Sequence, residues 1–124
     1  MSIKAILIGW LFKCSGGGVM DYRSASWKKF RKSILIRDGY ICQHFKRYGL
    51  VRGANTVHHV IPVRERPDLE WESSLMVSLS KEAHDIMHDR WTDNLSEEGR
   101  ALANRIISRL SDEERQRMRL NPYE

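Results

Sequence analysis

Four of the five histidines in this chain fall in two short blocks, and the blocks leave few ways to fold it. The first is Thr56-Val57-His58-His59-Val60-Ile61, β-branched enough to read as a strand; the second, His84-x3-His88, begins 25 residues after His59. Neighbours on a strand point to opposite faces unless the strand end bends or bulges, so His58 and His59 are expected to do different work. On a helix, His84 and His88 share one face. Two neutral imidazoles from a helix and one further ligand from a facing strand hold a transition metal and leave positions open for water and substrate. A lone histidine is more often a hydrogen-bonded structural residue than a ligand. A His-His strand followed by a His-x3-His helix reverses that preference, because the spacing fits a ligand set.

The rest of the chain reads as one small domain built around those blocks. Its length is 124 residues, enough for a single compact core. Ser26 is the expected N-cap of an amphipathic helix with Trp27, Phe30, Ile34 and Leu35 on its apolar face, ending near Asp38-Gly39. Pro62 and Pro67 bracket a loop, Leu75 to Leu79 is a second extended stretch, and Ser80 opens the helix that carries His84 and His88. Ser96 opens a further helix with Leu102, Ile106 and Leu110 on one face, and Ser111-x-x-Glu114 is a capping box opening another. Residues 21–92 are read as the core and residues 93–124 as its helical C-terminal extension. Residues 1–20 are read as a flexible tail, or as an extension before a natural translation start at Met20, since Gly16-Gly17-Gly18-Val19 has codons that can encode a ribosome-binding sequence. The longest apolar stretch, Ala5 to Phe12, is far short of the roughly 20 residues of a membrane-spanning helix. It also lacks a convincing cleavage site, so no membrane partner and a cytoplasmic location are expected. Cys14 and Cys42 are too few for a disulfide framework and form no C-x-x-C pair.

The segments Trp27 to Gly39, Tyr40-Ile41-Cys42-Gln43-His44-Phe45, Val57-His58-His59-Val60-Ile61-Pro62-Val63 and Leu79-Ser80-Lys81-Glu82-Ala83-His84 together resemble the HNH endonuclease pattern, most specifically in the Val57–Val63 piece. The resemblance covers roughly residues 27–90 and is to small HNH proteins of tailed bacteriophages and prophages, whose genes often neighbour the terminase. It implies an α+β fold: a ββα-metal core with an N-terminal basic helix and C-terminal helices. It implies His58, His84 and His88 as ligands of one divalent ion (Mg²⁺, Mn²⁺, Ni²⁺ or Zn²⁺) and His59 as the general base. It also implies double-stranded DNA as partner and help to DNA packaging beside the terminase large subunit or portal. Two departures stand out. Family members often carry two C-x-x-C pairs for a structural zinc; those positions here are Cys42, Phe45, Ser80 and Ala83, so no structural zinc is expected and Phe45 and Ala83 are expected to pack instead. No asparagine lies between His59 and His84; counting back from His84 puts Leu75 at the family's middle position, or Ser74 with a one-residue insertion, and Ser73 or Ser74 is a candidate hydroxyl or a plain turn residue.

Phosphodiester hydrolysis needs a nucleophile made from water, neutralised charge on the phosphate and help for the departing oxygen. A neutral His59 is suited to take the proton, and an ion on His58, His84 and His88 to stabilise the leaving oxygen. Arg64, Arg66 or Arg90 are candidate phosphate clamps or solvated surface residues. The chain carries a net charge of +5, and its basic excess lies in residues 21–60, with nine bases against two acids. There Lys28, Lys29, Arg31, Lys32, Arg37, Lys46, Arg47 and Arg52 are expected to meet DNA phosphates, giving salt-dependent binding with little base readout. Three functions fit these residues: a DNA endonuclease, a catalytically damaged HNH fold kept as a nucleic-acid-binding or packaging subunit, and a structural metal protein.

Overall fold

The computed structural model describes residues 21–123; the readings of residues 1–20 lie outside the described residues. Helix α1 (Ala25–Arg37) is capped by Ser24, whose Oγ accepts the Trp27 N–H at 3.1 Å. Ser26, the expected cap, lies inside the first turn. Starting at Ser24 puts Trp27, Ile34 and Leu35 in the core and leaves the basic side chains outside. The helix stops at Asp38, followed by Gly39 at φ +66° and Tyr40 at φ +57°. A short helix α2 (Gln43–Lys46) follows, then strand β1 (Thr56–His59), two 3-10 turns (Pro67–Leu69 and Ser73–Leu75) and strand β2 (Met76–Leu79). Helix α3 (Lys81–Ile86), helix α4 (Glu97–Arg109) and helix α5 (Asp112–Met118) complete the described chain. Ser80 and Ser96 cap α3 and α4 through their hydroxyls, and Ser111 with Glu114 forms the expected capping box on α5.

The two strands pair antiparallel, with His58 opposite Val77 and His59 opposite Met76. Both are shorter than the sequence suggested. β1 ends at His59 because the next pairing, Val60 N–H to the Leu75 carbonyl, already belongs to the loop that Pro62 turns away. Strand alternation divides the core into two layers around the ribbon. Val57 and Met76 join Trp27, Ile34 and Leu35 of α1 on one side. On the other, Val77 and Leu79 join Ala83 of α3, Leu102, Ala103 and Ile107 of α4, and Met118 beyond. This is the α+β layering expected from the sequence: a strand pair followed by a helix, with α1 before it and α4 and α5 after it. No helix among the described residues is long and apolar enough to cross a membrane.

The edge of β2 away from β1 is closed by the end of α1. Asp38 accepts the Ser78 N–H at 3.0 Å and both Nε and Nη2 of Arg37, while Arg37 also donates to the carbonyls of Ser73 (2.9 Å) and Met76 (2.7 Å). Arg37 therefore ties α1 to β2.

Candidate metal centre and its neighbouring histidine

Alternation on β1 sends His58 into the α3 and α4 layer and His59 into the α1 layer. His58 meets His84 at 5.2 Å and His88 at 5.3 Å between ring centroids, and His84 and His88 are 4.9 Å apart. One ring nitrogen from each of the three lies within 4.8 Å of the other two. His84 comes from α3 as expected. His88 does not: α3 ends at Ile86 with Met87 as its cap, and His88 forms an isolated bridge with Leu95. The helix is cut short because Ser96 takes its terminal carbonyls, accepting none itself there: Ser96 N–H donates to Met87 (2.9 Å) and Ser96 Oγ–H to Ile86 (2.6 Å). His88 still reaches the cluster from the turn.

The donors fit a cation. Among the described residues, His58 Nε2 and His88 Nδ1 are buried nitrogens without a hydrogen-bond partner, an arrangement that burial otherwise penalises. Burial pushes the His58 pKa far below its ordinary value, reinforced by neighbouring His88 and His59. It also lowers His88, against the pull of Asp93. The rings are therefore neutral near pH 7, with lone pairs to offer. The site opens into a depression of about 680 Å³ lined by His84 and His88 together with Asp85, Asp89, Asp93 and Arg90, so three carboxylates stand at its mouth.

His59 occupies a different environment. Its ring stacks on Trp27 at 5.8 Å and 16°, with the Tyr22 ring edge-on at 6.3 Å. Its Nε2 lies 3.0 Å from the Glu70 carbonyl. A carbonyl only accepts, so the ring proton is on Nε2 and Nδ1 carries the free lone pair; Nδ1 is buried and has no partner among the described residues. Burial pushes the pKa down to about 4, against the Glu70 bond, so the ring is neutral across the physiological range. The sequence showed Trp27 only as an apolar helix position, and nothing in it marked the Glu70 carbonyl.

The remaining candidates divide. Lys28, Lys29, Lys32, Lys46, Arg47 and Arg52 are exposed. Arg52 lies 5.7 Å over the Phe45 ring. Arg31 donates to the Asn55 carbonyl, and Arg66 to the carbonyls of Met118 (2.6 Å) and Arg119 (3.1 Å) as well as to Asp68. Both serve the fold. Arg64 holds Asn94 at 2.5 Å, which braces the loop after His88, and Arg90 lines the histidine cavity with its guanidinium 5.5 Å from the Trp91 ring. Ser74 bonds Glu72 at 3.2 Å and lines a separate cleft, while the Ser73 carbonyl accepts from Arg37. At the positions compared with a zinc site, Cys42 and Ala83 are fully buried in one apolar cluster with Phe45 packed against it, and Ser80 caps α3.

No family model matches the chain, and no curated protein matches it in sequence. Among solved structures it is similar to an HNH endonuclease of the deep-sea thermophilic bacteriophage GVE2, crystallised with a manganese ion. The likeness has a TM-score of 0.52 at 20% sequence identity and covers 68% of this chain and 87% of that one.

Proposed function

We propose that this chain is a metal-dependent HNH endonuclease that hydrolyses phosphodiester bonds in double-stranded DNA. The observation that carries the reading is the convergence of His58, His84 and His88, with partnerless buried nitrogens on two of them, beside a neutral His59 whose proton position is set by Glu70. The fold shared with a manganese-bearing phage HNH endonuclease supports it. His58, His84 and His88 would hold one divalent ion. When bound, such an ion supplies positive charge against the phosphate and the departing oxygen. An all-imidazole set favours Zn²⁺, Ni²⁺ or Mn²⁺ over Mg²⁺, which prefers oxygen ligands. His59 takes the proton of the attacking water at Nδ1, and the Glu70 carbonyl steadies the resulting imidazolium through Nε2–H. Arg90, which lines the cavity, would pair with a phosphate oxygen.

A specific observation favours a second reading, a fold that binds DNA without cutting it: His59 is 6% exposed and its Nδ1 is covered. Nicking of supercoiled plasmid by the full chain with Mg²⁺, Mn²⁺, Ni²⁺ or Zn²⁺, against EDTA and against His59→Ala, decides between them. Metal-dependent nicking that both controls abolish, with Ni²⁺ binding retained in His59→Ala, supports the endonuclease. DNA binding without nicking under any ion supports the second. Of the finer expectations, a cytoplasmic site of action rests on the N-terminal sequence pattern, and help to packaging beside the terminase large subunit or portal rests on the sequence resemblance; absence of co-purification with either protein from infected cells would remove the partnership.

A further inference from the structure

A second cleft, about 500 Å³ in volume, lies between the end of α1, α2, β2 and the last turns of α4, and it shares no lining residue with the histidine cavity. Val77, Leu102 and Ile106 contribute apolar lining. Five cations, Arg37, Lys46, Arg47, Arg105 and Arg109, face one carboxylate, Asp38. That carboxylate is already committed to Arg37 and to the Ser78 N–H, and Arg37 in turn to two carbonyls. Lys46, Arg47, Arg105 and Arg109 form no ion pair among the described residues; Arg47 donates only to the Tyr48 hydroxyl, at 3.3 Å. Arg105 is partly buried, and its guanidinium is pushed below its ordinary pKa by that burial and by Arg47 and Arg109, which together outweigh the opposing pull of Tyr48 and Glu98. Arg105 and Arg109 are four residues apart on α4, a spacing at which like charges oppose the helix. The helix C-terminal dipole accounts for Arg109 in the last turn but not for the cations brought to it from α2. Such a group is stabilised by an anion, and its spread over two elements, with about 6 Å of helix rise between the two arginines of α4, suits an extended polyanion better than one compact ion.

We propose that this cleft is a second nucleic-acid contact, in which Lys46, Arg47, Arg105 and Arg109 take phosphates of a DNA strand away from the histidine centre. The proposal rests on DNA being the ligand of this chain, as in the reading above, and assigns a binding role to α4.

The test is duplex binding by the full chain in EDTA, followed by fluorescence anisotropy between about 50 and 200 mM salt. Wild type is compared with the pair Arg105→Gln/Arg109→Gln and, from the other wall, Lys46→Gln/Arg47→Gln, each checked for fold by circular dichroism. Each pair is expected to weaken binding about tenfold or more and to make the slope of log K against log salt shallower by about 1.8, at about 0.9 per lost phosphate contact. Ni²⁺ binding should be unchanged. Wild-type affinity and slope in both pairs, or no duplex binding by wild type, would overturn the proposal. So would inorganic pyrophosphate binding that the substitutions abolish while duplex affinity stays intact, which would make the cleft a small-anion site. Lost slope without nicking by wild type keeps the cleft and sinks the endonuclease; nicking with an unchanged slope does the reverse.

Discussion

His58 concentrates the tension of the site in one side chain. It is 1% exposed and its Nε2 is unsatisfied, a situation that costs about 1–3 kcal/mol in a protein without a ligand there. The proposed cation-binding role and the stability of the metal-free chain therefore oppose each other at this residue. His58→Leu is expected to leave the chelated protein as stable as wild type or up to about 1 kcal/mol more stable, and to abolish the rise in melting temperature that Ni²⁺ gives wild type. A variant that keeps the full Ni²⁺-dependent rise would remove His58 from the ligand set. Asp38 shows the opposite logic, a charge that serves only the fold. Partial burial alone would raise its carboxyl; hydrogen bonds from Arg37 and Ser78 outweigh burial and hold it below the ordinary range. Because the folded value lies below the unfolded value of about 3.9, its stabilisation is complete above that pH and is lost as pH falls through the lower folded value. Asp38→Asn should thus lower the urea midpoint at pH 7 and differ progressively less from wild type below about pH 4. An equal deficit at pH 3 and pH 7 would mean that the charge of Asp38 is not what ties α1 to β2.

At the scale of elements, the junction between α3 and α4 decides whether His88 arrives. A Cβ on Gly99 would sit 2.2 Å from the Met87 carbonyl oxygen and 3.0 Å from the Leu95 side chain, so α4 approaches the end of α3 as only glycine permits. In an open helix Gly→Ala stabilises; here Gly99→Ala is expected to destabilise by about 1–3 kcal/mol and to weaken Ni²⁺ binding by displacing Met87 and, next to it, His88. Unfolding midpoints together with Ni²⁺ titration check both halves, and a stabilised variant with wild-type Ni²⁺ affinity would mean the contact relaxes freely. This junction also marks where the sequence stopped being legible. Strand alternation and the His-x3-His spacing suffice to bring forward His84, His88 and one of the two strand histidines, the resemblance alone singles out His58, and hydroxyl caps mark the starts of α3, α4 and α5, because those signals are local. The end of α3 is not local: Ser96, eight residues past His88, takes the carbonyls that would have continued the helix. For the same reason Arg31, Arg37 and Arg66 read as free surface charge in sequence, although their carbonyl partners lie 24 or more residues away along the chain. The cap of α1 lies two residues before the expected Ser26: Ser24 is the residue whose hydroxyl accepts the Trp27 N–H.

For the whole molecule, the question is whether a bound ion would organise the fold or only use it. The two apolar layers close around the ribbon without contribution from the histidine cluster: the larger joins β2, α3 and α4 through Val77, Leu79, Ala83, Met87, Leu102 and Ile107, and the smaller joins α1 to both strands. Phe45 packs against the larger layer, which includes buried Cys42 and Ala83. The chelated protein is therefore expected to unfold in one cooperative transition. A cation that binds only the folded chain then adds RT ln(1 + [L]/Kd), about 2.7 kcal/mol at a hundredfold excess over Kd, which for a chain of this size is a rise of roughly 10 °C or more. Differential scanning calorimetry in EDTA and in graded Ni²⁺ measures both. A chelated chain with no transition would make the ion a structural staple, and the imidazole cluster would then be explained by folding alone. A cooperative apo transition that climbs with the logarithm of free Ni²⁺, and that no longer responds in His58→Leu, places the ion on a scaffold already built to receive it.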